Sequence, residues 1–381
     1  MPDSRSPDRS GLLAWDAGVA QRNWTSAPSR REVLTLAVVA MLVFVAVLLA
    51  FDGLMRRVAV FGDSSVYAGV ASAILQWRPE TTTPQHFWGL PYVVAGTAVL
   101  TRTSPLVALV IVSIASSLIA IALIHRLYGG LTAALLVVSS VEWLQRSILG
   151  GAEPLFMALV VGAFVAARSR RWALAAFLGA YGTTVRPQGV FVLVGLAVAL
   201  LAERDVRQLA VVTIIALVVG LLYVVPFQVY FGDPLAHFHV YQGKDWHSDS
   251  PVSIPFVAQA RAMFTLPVPW TAIAREVVWI LICAAGAVAM IRRTRFRRFA
   301  AMHKAESTFA ALFLLFVFSY NSYWSLLEFA RYALPVVPLV FFAFDGVVRI
   351  DRRILWAAAP VTALLSAVSA LNVRTVLDAL R

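Results

Sequence analysis

The stretch VLTLAVVAMLVFVAVLLAF, residues 33–51, decides the class of fold. It contains no charged residue, and an apolar helix of ~20 residues is long enough to cross the ~30 Å hydrocarbon core of a membrane. The whole chain is of similar character, with 60% hydrophobic residues, 14% charged residues and a mean hydropathy of +0.79. That composition excludes an ordinary soluble domain. We predict an all-α, polytopic transmembrane helical bundle.

Further apolar runs follow along the chain. Five are as long as the first, at 105–124, 208–231, 272–291, 330–348 and 354–371. Six shorter runs lie at 88–101, 129–141, 153–167, 172–185, 189–202 and 308–322, and such runs can be tilted, broken or re-entrant. We therefore expect eleven or twelve spans. The topology closes only if one of the three runs between residues 88 and 141 does not fully cross.

Charge distribution gives the orientation. The net charge is +12, and the arginines cluster between apolar runs, at 168–171, 203–207, 292–298 and 349–353. Cytoplasmic loops carry an excess of Lys and Arg, so these clusters indicate inner ends and contact with an anionic leaflet rather than with nucleic acid. Residues 1–30 are polar and have no cleavable signal, which predicts a disordered cytoplasmic tail before a single membrane domain, 31–381.

Asp63 is the leading catalytic candidate. It precedes the stretch SSVYAGVASAILQW, in which Val66, Val70, Ile74 and Trp77 recur at helical spacing, typical of a short interfacial helix in the first outer loop. A structural role is to cap this helix, which Asp does well. A functional role is that of a general base at the membrane surface, and one carboxylate can serve both purposes.

Three further charged residues are predicted to lie on the same outer face. Glu153 begins an apolar helix after Gly150 and Gly151, whereas Arg186 and Arg331 stand apart from every cytoplasmic cluster. The structural role of Glu153 is helix capping, and that of each arginine is a salt bridge with Glu153 or Glu328, or contact with headgroups. The alternative for the arginines is a phosphate clamp, because a guanidinium fork matches phosphate oxygens.

The loop between residues 232 and 270 is also predicted to be outside, and three histidines there raise the question of a metal. His237, His239 and His247 lie close together in sequence, but a His-x-His pattern without a fixed framework is a weak signal. A divalent metal is possible but not indicated, and a solvated loop is the better interpretation. His86 can anchor the chain at the interface. The lone Cys283 cannot form an intramolecular disulfide.

Five segments together resemble the GT-C class of membrane glycosyltransferases, which use polyprenyl-phosphate sugars. They are GDSSVYAGVASAI at 62–74, GGAEPLF at 150–156, TTVRPQG at 183–189, FARYALPVVP at 329–338 and FGDPLAHFHVYQGKDW at 231–246. The last is similar to an element of the GPI mannosyltransferases that add the second mannose, and of their bacterial relatives. The chain departs from many class members in having Ser64 after Asp63, where they carry a second acidic residue.

The resemblance implies an inverting transfer of mannose or another hexose from a polyprenyl-phosphate donor to a hydroxyl of a lipid or glycan acceptor, at the outer face of a bacterial plasma membrane. It implies Asp63 as the base, Arg186 and Arg331 on the phosphate and Glu153 on a hydroxyl. It also implies substrate contacts for His86, Gln242 and Trp246, and no certain cofactor.

Two other interpretations remain. A transporter or lipid flippase is expected to carry ionisable residues near the middle of the membrane. A structural membrane protein without catalysis is expected to leave the four charged residues apart. The transferase interpretation predicts that Asp63, Glu153, Arg186 and Arg331 meet in one site.

Overall fold

The structure, a computed structural model, describes residues 27–240, 247–265, 270–322 and 324–379. These residues form the predicted helical bundle, with one short antiparallel pair of strands. Most of the predicted N-terminal tail, together with Gln242 and Trp246, lies outside the described residues. One continuous cluster of buried apolar side chains runs from Val33 to Ala370.

The first half of the chain forms helices α1 to α10. They are α1 (Arg30–Phe51), α2 (Leu54–Val60), α3 (Ser64–Leu75), α4 (Gly89–Thr101), α5 (Pro105–Tyr128), α6 (Gly130–Ser139), α7 (Val141–Leu149), α8 (Ala152–Arg168), α9 (Trp172–Val185) and α10 (Val190–Glu203). Single 3₁₀ turns at Pro79–Thr81 and Pro187–Gly189 precede α4 and α10.

The second half contains the remaining helices and both strands. They are α11 (Val206–Phe231), α12 (Ala236–His239), β1 (His247–Val252), α13 (Val257–Thr265), α14 (Trp270–Arg292), α15 (Thr294–Met302), α16 (Lys304–Ser319), β2 (Tyr320–Ser322), α17 (Trp324–Leu327), α18 (Phe329–Ala333), α19 (Val337–Ala343) and α20 (Arg352–Ala379).

The number of full spans is lower than predicted. Among the described residues, five helices are long and apolar enough to cross a membrane, or up to eight if each sharply bent pair counts as one span. Four further apolar runs, at 88–101, 129–141, 172–185 and 189–202, form helical segments of 10–17 residues. At 1.5 Å per residue these are ~15–26 Å long, shorter than the hydrocarbon core. The chain is thus an integral membrane protein built from long, bent and short helices.

The apolar run 330–348 was predicted as a single span and is instead broken. It forms α18 and α19, of 5 and 7 residues, joined by a turn at 334–336. Pro335 lacks an N–H group and its ring clashes with the carbonyl group four residues earlier, that of Arg331, which disfavours a continuous helix at this point. The turn residues Leu334 and Val336 are buried, which is where irregular backbone is tolerated in a membrane protein.

Helix α5 shows how the chain passes between the two ends of the bundle. Leu109, near its start, packs against Gly150, whereas Tyr128, its last residue, donates a hydrogen bond to Glu306. The rise along the helix between these residues is about 28 Å. Helices α6 and α7 together make the return path, interrupted at Ser140.

Helix α4 starts and ends near the same end of the bundle. Gly89, its first residue, lies so close to Thr184 that a Cβ atom there would be 2.5 Å from the Thr184 hydroxyl oxygen. Its last residue is joined by a short turn to Pro105 at the start of α5. This arrangement agrees with the prediction that one of the three runs between residues 88 and 141 does not cross.

All four predicted arginine clusters contribute to salt bridges at the Tyr128 end of α5 or beside its neighbours, and in the cluster 292–298 Arg295 pairs with Asp345 at 2.7 Å. Arg168 pairs with Glu306 at 2.7 Å, Arg170 with Glu203 at 2.9 Å and Arg352 with Glu32 at 3.0 Å. We call this the Arg168 end, and the end that holds Leu109 and Gly150 the Asp63 end. Burial differs sharply between these pairs, because Glu306 is buried and Arg170 is largely exposed.

Helix α3 places its apolar stripe against a second, smaller core. Val70 is buried there with Trp88, Tyr223 and Phe227, and Val66 and Ile74 pack beside them. Trp77 was expected to continue the stripe, which is wrong: α3 ends at Leu75, and Trp77 is 80% exposed with φ +57°.

Two ion pairs of the Arg168 end, Arg168–Glu306 and Arg170–Glu203, differ in burial and make a matched test of its effect on stability. Glu306→Gln leaves the Arg168 guanidinium with a neutral partner inside the bundle, so we expect a loss of about 3 kcal/mol in the free energy of unfolding. Glu203→Gln breaks an exposed pair and is expected to cost less than about 1 kcal/mol. Thermal unfolding of both variants in detergent measures the difference, and equal melting temperatures would contradict the assignment.

Candidate active site

The four residues singled out in the sequence meet at the Asp63 end. The Arg331 guanidinium donates to Asp63 at 2.6 Å and to Glu153 at 2.5 Å, and Arg186 donates to the same oxygen of Glu153 at 3.1 Å. The four side chains come from the α2–α3 break, from α8, from the α9 terminus and from α18. Residues almost 270 positions apart in sequence therefore share one continuous network, as the transferase interpretation predicts.

Asp63 directs its carboxylate into this network and away from helix α3. It occupies the N-cap position, but its side chain makes no hydrogen bond with the first turn, so the expected capping role is wrong. One carboxylate oxygen accepts from Arg331, and the other lies 3.2 Å from Nε2 of His86. Attraction to two donors outweighs the preference for capping because charge-assisted bonds are stronger than neutral ones.

The environment of Asp63 favours its ionised form. Burial opposes the charge, but attraction to Arg331 and the hydrogen bond with His86 outweigh burial and hold the pKa of Asp63 well below its usual range. The side chain remains 31% exposed. It is thus a charged carboxylate that an incoming molecule can reach. His86, predicted as an interface anchor or substrate contact, supports this carboxylate and packs edge-on against Tyr67.

Glu153 is the buried centre of the network. It lies in the first turn of α8, after a bend of 104° at Gly150 and Gly151, and its side chain is 0% exposed. One carboxylate oxygen accepts from both Arg331 and Arg186, and the other has no hydrogen-bond partner. Full burial favours a role in positioning the arginines, while the predicted contact with a substrate hydroxyl stays a prediction.

Arg331 and Arg186 both donate hydrogen bonds to carboxylates of the same chain. Arg331 donates to a third carboxylate, that of Glu328, at 2.8 Å. Arg186 lies beside the Tyr332 ring, with its guanidinium carbon 5.6 Å from the ring centre. Both side chains are nearly buried. A phosphate could approach them only by sharing or replacing one of these contacts.

Five charged residues of this region were not predicted as site residues, although one of them, Glu328, was expected as a salt-bridge partner of the arginines. Arg146 lies 3.8 Å from both Glu142 and Glu328, and Arg275 lies 3.4 Å from Glu142. Glu276 accepts from Arg275 and from the backbone N–H of Ala330. A signal for the first pair was present, because Glu142 and Arg146 are spaced i, i+4 on a short helix directly before Gly150. Glu328 likewise stands three residues before Arg331, whereas the roles of Arg275 and Glu276 become visible only through tertiary contacts.

Aromatic side chains form the wall next to His86. The ring of His237 packs against Phe87 at 4.5 Å and Phe227 at 5.0 Å, and burial lowers the pKa of His237 to about 4. His239 contacts Asp233 at 2.6 Å. Within the described part of the chain, no three His, Cys, Asp or Glu side chains lie close enough to share a metal ion; the side chain of His247 is not described.

Comparison with known proteins gave no match to any family model, to any curated protein or to any solved structure. The interpretation of this site therefore rests on its own residues and geometry.

Gly151 is required by close contact rather than by backbone conformation. A Cβ atom there would lie 2.5 Å from the unpartnered oxygen of Glu153 and 2.8 Å from Cδ of Arg146, whereas φ is −150°, which any residue adopts. We expect Gly151→Ala to destabilise the protein by about 1–3 kcal/mol through overpacking. The matched variant Gly69→Ala, with nothing within 4 Å of the new atom, should raise stability by up to about 1 kcal/mol.

Melting temperatures of the two variants in the same detergent test this difference. A Gly151→Ala protein as stable as the unmodified protein would show that the side chains of Glu153 and Arg146 are free to move apart.

Proposed function

We propose that the protein is a glycosyltransferase that moves a hexose, such as mannose, from a polyprenyl-phosphate donor to a hydroxyl group of a lipid or glycan acceptor. One observation carries the proposal: Asp63, an ionised and accessible carboxylate, stands in a cluster of arginines at one end of a membrane bundle. A site of this kind gives access both to a lipid in the membrane and to an acceptor in water. The order of the five segments that resemble the GT-C class supports the same assignment.

The proposed reaction needs few groups. The acceptor hydroxyl loses its proton to Asp63 while its oxygen forms a bond to the anomeric carbon. The bond from that carbon to the phosphate oxygen breaks, and polyprenyl phosphate leaves with the electron pair. A glycosidase needs a second carboxyl group to protonate an alkoxide leaving group. Phosphate is already a good leaving group, so one base and nearby cations are sufficient.

The ion pair with Arg331 makes Asp63 a weak base in the resting protein. An anionic phosphate bound near the arginines would weaken the ion pair between Arg331 and Asp63. Its negative charge would also raise the pKa of the Asp63 carboxyl group. Donor binding would thereby strengthen the base only when a sugar is ready for transfer.

The charge distribution supports a site on the outer face. The arginine clusters lie away from Asp63, and cytoplasmic segments carry the excess of Lys and Arg. Under this rule the N-terminus is cytoplasmic and Asp63 faces outward, in the plasma membrane of a bacterium.

The position of charge within the helices favours transfer over the transporter or flippase alternative. In α1, α5, α8 and α11 the charged residues fall within the first or last turn. A translocation path is expected to place ionisable groups near the middle of the membrane. The charges of these four helices mark interfaces instead.

Asp63→Asn tests the proposed base. The variant retains size and polarity but cannot accept a proton, so we expect sugar transfer to fall by at least about 10²-fold while donor binding persists. Asp351→Asn, at an exposed position beside α20, is the matched control and should retain activity. Transfer from a radiolabelled polyprenyl-phosphate hexose in proteoliposomes provides the measurement. Unreduced turnover in Asp63→Asn would remove Asp63 as the base.

The pH dependence of transfer gives a second test. Because the pKa of Asp63 is held well below its usual range, the carboxylate stays ionised as pH falls, and kcat/KM should remain flat to below about pH 4. His86→Phe retains a ring beside Tyr67 but removes a contact that lowers this pKa. The acidic limb of the profile should therefore move to higher pH in the variant. If the acidic limb of the profile lies at the same pH in His86→Phe as in the unmodified protein, a group other than Asp63 controls it.

A further inference from the structure

Arg146 differs from Arg331 in having buried nitrogen atoms without a hydrogen-bond partner. The side chain is buried, with 5% of the residue exposed. Its Nε and Nη1 atoms have no hydrogen-bond partner. The nearest carboxylates, on Glu142 and Glu328, are 3.8 Å away, beyond hydrogen-bonding distance. By contrast, Arg331 donates to three carboxylates.

Unpaired donors of a buried guanidinium are costly. Almost all buried polar groups in folded proteins have a partner, and a charged one left without it loses more than a neutral one. The flat side of the guanidinium is covered, because its central carbon lies 4.8 Å from the centre of the Phe61 ring. The two nitrogens point in different directions, because Nε faces Glu142 and Nη1 faces the backbone at Gly62. Nη1 is therefore the donor that is directed toward the start of α3, and a donor of this kind forms charge-assisted bonds with phosphate oxygens.

A glycine brings the backbone close to Nη1. Nη1 of Arg146 lies 3.1 Å from the place where a Cβ atom of Gly62 would stand. Gly62 adopts φ +44° and Gly150 adopts φ +90°, conformations that other residues rarely adopt. A Cβ atom at Gly151 would collide with Cβ and Cδ of Arg146, so this glycine makes room for the aliphatic part of the side chain. The backbone can therefore approach the guanidinium with no side chain between them.

The N-terminus of α3 opens at the same place. This helix has 12 residues and begins directly after Gly62 and Asp63. Its first turn receives no side-chain cap, because Asp63 turns to Arg331 and His86. Uncapped N–H groups and the helix dipole attract anions. A cationic group with free donors and an uncapped helix start thus stand side by side.

We propose that Arg146, with the first turn of α3, binds the phosphate group of a polyprenyl phosphate. The inference rests on the proposed function and changes the role of its arginines. Arg331 and Arg186 set the position and charge of Asp63 and Glu153, while Arg146 takes the anion. The phosphate then lies next to Asp63, where its charge acts on both the carboxylate and Arg331.

Direct binding tests the inference without requiring sugar transfer. Farnesyl phosphate, a short polyprenyl phosphate, is titrated into the full-length protein in detergent and followed by calorimetry. Arg146→Gln should weaken its binding by at least about tenfold, and Arg146→Lys, which retains charge without the planar fork, should have an intermediate affinity. Arg170→Gln, an exposed arginine of the Arg168 end, is the matched control and should bind as the unmodified protein does.

Two further ligands show whether the phosphate group or the isoprenoid chain of farnesyl phosphate provides the affinity. Farnesol lacks the phosphate, so its binding should not depend on Arg146. Inorganic phosphate should compete with farnesyl phosphate in the unmodified protein and compete less well in Arg146→Gln. If Arg146→Lys folds normally and both Arg146 variants bind farnesyl phosphate with unchanged affinity, the inference is overturned.

The inference and the proposed function can fail separately. Binding of farnesyl phosphate that depends on Arg146, in a protein that transfers no sugar, would support the anion site and refute the transferase. Sugar transfer with phosphate binding that does not depend on Arg146 would refute the anion site alone.

Discussion

The arrangement of the Asp63 end depends on one guanidinium, that of Arg331, held by three carboxylates. Taking these charges out of water is costly, and mutual attraction repays the cost only when geometry and hydrogen bonding are good. Asp63, Glu153 and Glu328 each accept from a different nitrogen of Arg331. Every nitrogen of the guanidinium therefore has a carboxylate partner. The contacts join the start of α3, the start of α8 and the short helix α18. A broken helix that could not hold its position by its own hydrogen bonds is thereby fixed in the bundle.

Charged residues of this network lie at breaks in the helices, and the breaks explain how distant segments converge. A charge in the middle of a continuous membrane helix has few partners within reach. A break turns the chain and brings side chains from several directions to one point. Prolines and glycines in the sequence mark these places: Gly62 before Asp63, Gly150 and Gly151 before Glu153, Pro187 after Arg186 and Pro335 after Arg331.

The sequence was a good guide to the helices and to four residues of the site, but an incomplete guide to the partners of those residues. Apolar runs predict helices because burial of the backbone in lipid leaves no other local solution. Hydropathy alone missed the break at Pro335, whose effect depends on local backbone sterics. Glu328 stands three residues before Arg331 and is its partner at 2.8 Å, whereas the role of Glu276 depends on which helices pack together. Isolation from the arginine clusters identified Arg186 and Arg331, and the salt bridges with Glu153 or Glu328 that were expected as their structural role are present.

The Arg168 end provides an internal comparison for the buried polar atoms of the Asp63 end that have no hydrogen-bond partner. There, both carboxylate oxygens of Glu306 are satisfied, one by Arg168 and the other by Arg168 and Tyr128. This chain can therefore close a buried ion pair completely where the purpose is structural. At the Asp63 end, an oxygen of Glu153 and two nitrogens of Arg146 remain without partners, although opposite charges lie nearby. Pairing is thus incomplete in one network and complete in the other, within one bundle. The difference favours a ligand at the Asp63 end, because a bound anion would supply the acceptor that the Arg146 nitrogens lack.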